Sequence, residues 1–134
     1  MPKIRKAYST DIAFLKALEE QCFAPNRRFS FSSLLRSLSS THQDLYIIEV
    51  DDRPVGSATI FRFRKTWRLY SIAILPEYRH QSLGHVLMQH IIDLALGENI
   101  GHLSLEVDSK DAATIEWYRS FTIDFKAQVA DVFA

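Results

Sequence analysis

The sequence predicts an α/β chain of the α+β kind: a mixed central sheet with an antiparallel meander, helices on both faces, in the order (β)ααβββαβαβ. Two patterns lead there. Residues 45–50, 55–63 and 67–75 are rich in β-branched and aromatic side chains, and only Asp51-Asp52-Arg53-Pro54 and Arg64-Lys65-Thr66 separate them, connections short enough for two hairpins. After Pro76 the apolar period lengthens from that of a strand to that of a helix, and strand and helix then alternate. A length of 134 residues corresponds to one domain, residues 1–134.

The elements follow in order. Residues 3–7 offer an optional first strand. Ser9, Thr10 and Asp11 all suit a helix N-cap, and Phe14, Leu15, Leu18 and Cys22 then fall at helical spacing, giving a first helix to about Cys22. Pro25-Asn26 interrupts the pattern. Phe31, Leu34, Leu35 and Leu38 resume it behind Ser30 as a cap, which makes a second, short helix. The meander comes next. Leu83, Leu87, Ile91, Leu94 and Ala95 then share one helical face until Gly97 stops it. Leu103, Leu105 and Val107 alternate with Ser104 and Glu106 as a strand, residues 112–119 read as a helix, and 123–133 as a final strand. The tail is short for a complete last strand.

Composition excludes several functions. At 47% hydrophobic and 24% charged residues the chain holds a core and is too apolar for disorder. Sixteen basic residues balance sixteen acidic ones, so no net field draws it to nucleic acid or to an anionic membrane, and neither is an expected partner. A single cysteine excludes an internal disulfide and fits a reduced, cytoplasmic compartment; Cys22 itself reads as a buried small apolar residue. The basic start is followed by Tyr8, Ser9, Thr10 and Asp11 rather than an apolar run, which is no signal peptide. His80, His85 and His90 stand five apart, and such steps rotate ~140° on a helix, so no metal is assigned. Neither G-x-S-x-G nor G-x-x-x-x-G-K-[ST] occurs.

The turn Arg79-His80-Gln81-Ser82-Leu83-Gly84-His85 joins a strand directly to the long helix. Such a join aims free N–H groups and the positive end of the helix dipole out of the turn, which suits a phosphate or pyrophosphate. Gly84 would let backbone approach the ligand, and Arg79 could add a charge-assisted contact. The competing reading is a helix start that merely needs glycine.

The run from Leu69 to His85 resembles the acetyl-CoA signature of the GNAT family of N-acetyltransferases, R/Q-x-x-G-x-G/A, with Arg79 at its first position, Gly84 at its last and Ser82 where the middle glycine is usual. Leu103-Ser104-Leu105-Glu106-Val107 is similar to the L-x-L-E-V strand of the ribosomal-protein alanine acetyltransferase subgroup, and Asp111-Ala112-Ala113-Thr114-Ile115-Glu116-Trp117-Tyr118 to its N-x-x-A-I-x-L-Y helix. The resemblance covers nearly the whole chain, thinly before residue 45. It implies a GNAT fold and an enzyme that takes acetyl-CoA as co-substrate. Ile72, Ala73 and Ile74 would offer main-chain groups to the pantetheine. Arg79, His80, Gln81, Ser82, Leu83, Gly84 and His85 would hold the pyrophosphate, and Asp111 would replace a CoA-contacting Asn. It further implies Glu106 as general base and Tyr118 as general acid, with an amine acceptor that is a small molecule or a protein N-terminus. Association with a second copy is left open.

The chemistry wants such residues, because an ammonium must lose a proton before it attacks and the departing thiolate must gain one. Apart from the resemblance Glu106 reads first as a solvated glutamate on a polar strand face, and Tyr118 equally as a core aromatic beside Trp117. Three departures from the family pattern stand out. Ser82 costs roughly 1 kcal/mol or more if its backbone is left-handed; ionised Asp111 cannot donate a hydrogen bond; Thr122-Ile123 replaces an expected Gly-Phe. They keep a second function in view, a module that binds acyl-CoA or a partner protein without catalysis. Arg62, Arg64, Lys65 and Arg68 cluster at the second hairpin and read first as a solvated, edge-protecting turn, second as a patch for an acidic substrate or the CoA 3′-phosphate. Arg27 and Arg28, near the expected acceptor side, are equally ambiguous.

Overall fold

A computed structural model of the chain describes residues 1–107, 112–119, 121 and 126–131, with side chains for 1–105, 112–119 and 121. The elements are β1 (Lys3–Lys6), α1 (Ile12–Cys22), α2 (Phe31–Ser39), β2 (Gln43–Val50), β3 (Arg53–Phe63), β4 (Thr66–Ile74), α3 (Leu83–Gly97), β5 (His102–Val107), α4 (Ala112–Arg119) and β6 (Lys126–Asp131). They form one sheet in the order β1-β2-β3-β4-β5-β6. Neighbours are antiparallel as far as β4 and parallel from β4 to β6. Each parallel step is spanned by a helix, α3 and then α4, because parallel strands need a crossover.

Helices cover both faces, and the strands show it in their sequence. Along β2, Leu45 and Ile47 face one way and pack with Leu15 of α1 and Leu34 of α2. Tyr46 and Ile48 face the other way, into the larger core that α3 covers with Leu83, Leu87 and Ile91. A strand buried on both faces reads as a continuous apolar run rather than an alternation, which is why Leu45-Tyr46-Ile47-Ile48 carries no polar residue.

One irregularity positions the site. On β3, Thr59 pairs with Ser71 but the next residue, Ile60, pairs with Leu69, so Tyr70 is the extra residue of a β-bulge. Because side chains alternate along a strand, one extra residue exchanges the faces. Before the bulge Trp67 and Leu69 enter the larger core; after it Ile72 and Ile74 do. Ser71 and Ala73 turn instead toward α1, beside Leu15 and Leu18. The bulge also marks a fork. Pairing of β4 with β5 runs from Thr66–His102 to Leu69–Leu105, and beyond it the second half of β4 is paired, among the described residues, with β3 alone.

Candidate active site

Past the fork a cleft of ≈ 810 Å³ opens between the second half of β4, the start of α3, the end of α1 and α4. One wall is Ile72, Ala73 and Ile74. Leu75 donates its N–H to the Val55 carbonyl at 2.8 Å, and alternation along an antiparallel ladder then turns Ala73 toward β3 as well, leaving the main-chain groups of Ile72 and Ile74 directed away from β3 toward the open edge. Ala73 therefore lines the cleft without main-chain groups to offer. A Cβ built on Gly56 would lie 2.7 Å from the Ala73 carbonyl oxygen, in keeping with that direction.

The opposite wall is the turn and the first turn of α3. A 3-10 turn at Pro76–Tyr78 ends β4, after which His80 and Ser82 take positive φ, 66° and 61°. Ser82 is thus in the left-handed region, the costly case, as the N-cap of α3, and its hydroxyl makes no capping bond. The first helical bond of α3 runs from the Val86 N–H to the Ser82 carbonyl at 3.0 Å. The N–H groups of Leu83, Gly84 and His85 are left without an intrahelical acceptor, and all three residues line the cleft. Gly84 has no positive φ. A Cβ there would meet Trp117 at 3.5 Å, an ordinary contact, so the fold itself does not demand glycine at this position. Gln81 is exposed and outside the cleft lining.

Two side chains differ from expectation. The Arg79 guanidinium turns back onto the end of β4, its Nε donating to the Ile74 carbonyl at 3.1 Å and its Nη2 lying 3.4 Å from the Cys22 Sγ. Arg79 therefore braces the strand end, and one of the two outward-facing carbonyls is occupied. Cys22 is not a buried apolar residue: it is half-buried, lines the cleft, and its Sγ lies 3.5 Å from the same carbonyl. Burial pushes its thiol up despite Arg79, which keeps it protonated and unsuited to nucleophilic work.

Tyr118 lines the cleft from α4, edge-on to Trp117 at 4.9 Å between ring centroids. Burial pushes its phenol up to about 12, so at neutral pH it is a hydrogen-bond donor. Glu106 is the first β5 residue past the last β4–β5 pair and faces Ala130 of β6 in register; its side chain, like Asp111 and Thr122, lies outside the described residues. Phe23, Tyr78, Thr114 and Trp117 also line the cleft. Sequence reasoning missed them as lining residues; Trp117 had a signal, since it precedes Tyr118 on the same short helix.

Two of the remaining basic candidates have structural partners. Arg62 pairs with Asp44 at 2.8 Å and donates to the Thr41 carbonyl at 2.9 Å. Arg28 donates to the Phe23 and Glu20 carbonyls, both at 2.8 Å, which caps the C-terminal end of α1. Among the described residues no group of three or more His, Cys, Asp or Glu could hold a metal ion, and no helix is long and apolar enough to cross a membrane.

Comparison with known proteins places this architecture. The ribosomal protein bS18-alanine N-acetyltransferase of Escherichia coli K12 is 40% identical over 52 residues, 39% of this chain and 35% of that protein. The aligned stretch thus spans about a third of the relative's length. A Bacillus subtilis protein provisionally named for the same activity is 29% identical over 119 residues, 88% of this chain and 78% of that one. In three dimensions the chain superposes on the Escherichia coli ribosomal-protein-S18-alanine N-acetyltransferase with a TM-score of 0.82 at 24% identity, over 90% of this chain and 76% of that one. It superposes on the PaiA N-acetyltransferase of Thermoplasma acidophilum, in complex with coenzyme A, with 0.78 at 16% identity, over 90% and 87%. The model of the Acetyltransferase (GNAT) family matches residues 12–122, and the chain belongs to that family.

Proposed function

We propose that the chain is an acetyl-CoA-dependent N-acetyltransferase that moves an acetyl group directly to a primary amine, either a peptide or protein amino terminus or a small-molecule amine. One observation carries this reading: the open edge of β4 and the free N–H groups of α3 converge on one cleft that also holds the protonated Tyr118. The Ile72 main chain pairs with the pantetheine amides as a further strand would, and the α3 N–H groups take the pyrophosphate. The ammonium first loses a proton to Glu106, which the resemblance brings to this role, and the neutral amine nitrogen then attacks the thioester carbonyl carbon. A C–N bond forms and the C–S bond breaks; Tyr118 donates its proton to the departing sulfur and is reprotonated by the second proton that the nitrogen sheds. The cleft volume of ≈ 810 Å³ is within the usual range of ligand sites. A cytoplasmic setting belongs to the same proposal.

The names of the relatives make an alanine-first peptide the first acceptor to try. Calorimetric titration with acetyl-CoA, followed by thiol release with that peptide and with a panel of amines, tests the reading. Binding with turnover is expected, and Tyr118→Phe and Glu106→Gln should each lower kcat about 100-fold while leaving acetyl-CoA affinity unchanged. Absence of acetyl-CoA binding overturns the proposal. Binding without turnover on any amine favours the second reading, an acyl-CoA-binding module, which the left-handed Ser82 supports.

A further inference from the structure

A second cleft of ≈ 370 Å³ lies along the same strand, against Arg68 to Ser71 of β4, and shares Phe23 with the first. Glu19 of α1 lines it. The residue is 6% exposed, and its Oε2 is buried with no hydrogen-bond partner. A buried carboxylate oxygen without a donor is costly to keep, and the other buried carboxylate among the described residues, Asp11, is paired with Arg5 at 2.8 Å. The groups around Glu19 are few. The Phe29 backbone N–H, Lys16 and Arg28 favour its ionised form, and burial still pushes it up to about 7. Arg27, Arg68 and the aromatic rings of Phe23, Phe29 and Tyr70 complete the cleft, with the Phe29 and Tyr70 rings stacked at 4.9 Å.

We propose that Glu19 is the recognition carboxylate for the acceptor: a primary ammonium enters the second cleft and donates to Glu19 Oε2. This rests on the acetyltransferase reading and adds to it the group that holds the amine. An ammonium supplies both the missing donor and the compensating charge. Arg27 and Arg68 oppose a bare cation, so the fitting acceptor is an α-amino group followed at once by carbonyl oxygens, as at a peptide amino terminus. The site is next along β4 from the wall of the first cleft, with which it shares Phe23. The competing arrangement is structural: beneath Glu19 a void of ≈ 10 Å³ lies beside Ser57, Thr59 and Ser71, room for one water that would satisfy Oε2.

The experiment follows the Glu19 carboxyl carbon by 13C NMR in the full chain, assigned by its loss in Glu19→Gln, with alaninamide as the probe and N-acetylalaninamide, which lacks the ammonium, as control. Alaninamide should lower the titration midpoint of Glu19 by about one pH unit or more, and the control should leave it in place. Glu19→Gln should weaken alaninamide binding about tenfold or more at unchanged acetyl-CoA affinity. A midpoint that alaninamide does not move, whether it binds elsewhere or not at all, overturns the proposal in favour of the water-bridged carboxylate. The two readings separate cleanly: a moved midpoint without thiol release keeps the ammonium site and removes the enzyme, whereas thiol release with an unmoved midpoint does the reverse.

Discussion

The two halves of β4 do opposite work with the same backbone. From Thr66 to Leu69 the strand is paired on both edges, and Trp67 and Leu69 are 2% and 3% exposed. From Ser71 to Ile74 it is paired, among the described residues, only with β3, and its outward main chain faces a cleft. Tyr70 divides them. A bulge there both exchanges the buried faces and coincides with the point where β5 parts from β4, so one inserted residue converts an interior strand into a binding edge. The first half holds the fold together and the second half is left free to bind.

The largest expected effect tests the anchoring half. Trp67→Ala removes a side chain buried in the larger core and should cost about 3–5 kcal/mol of stability, read from the denaturant midpoint. A loss below about 0.5 kcal/mol, the usual size of a surface effect, would break the contrast between the halves. The next effect sits beneath the second half. Burial raises the Glu19 carboxyl from 4.5 to about 7, so between those values the folded chain binds more protons than the unfolded one, and stability falls as pH rises. The fall should reach up to about 3 kcal/mol at pH 7, and Glu19→Gln should abolish it. Asp11 provides the opposite sign: its bond to Arg5 holds its carboxyl below the usual range, a contribution present at neutral pH and lost on acidification. Thermal unfolding from pH 4 to 8 in both proteins checks the sign.

How much of this was legible in the sequence follows from where the information lies. The long helix reads correctly because five of its apolar residues share a face, and the meander because its connections are too short for anything else. The bulge had a signal too, since apolar positions run 67, 69, then 72, 74, an alternation that skips one residue. Main-chain binding groups are inherited from such local patterns, which is why the first cleft can be sketched from a motif. The second cleft has no such pattern. Glu19 stands beside Glu20 in an ordinary helical stretch, and it shares its cleft with Phe29 and Tyr70, residues brought together only by the tertiary fold. Arg79 shows the same limit from the other side, because its charge suggests a phosphate and only packing turns it onto the Ile74 carbonyl.

A smaller perturbation separates the halves directly. A Cβ on Gly56 would approach the Ala73 carbonyl oxygen to 2.7 Å and collide with the Ile74 side chain, so Gly56→Ala should displace the second half of β4 while Trp67 and its neighbours stay in place. About 1–3 kcal/mol of stability should be lost, together with most of the acetyl-CoA affinity measured by calorimetry. A loss of stability with affinity intact would show that the binding edge is set elsewhere.

The smallest effect bears on Ser82. At φ 61° a residue with a Cβ pays roughly 1 kcal/mol that glycine does not. Its hydroxyl makes no capping bond, so Ser82→Gly removes strain without removing a contact, although glycine's freer unfolded chain returns part of the gain. The net stabilisation should be about 0.5 kcal/mol. Affinity is the sharper readout. If Ser82 holds the turn in its binding conformation only under strain, relief of that strain raises acetyl-CoA affinity by up to about fivefold, the equivalent of about 1 kcal/mol. If calorimetry shows affinity unchanged or lower, the serine is not what limits binding, and the open edge of β4 carries the larger share.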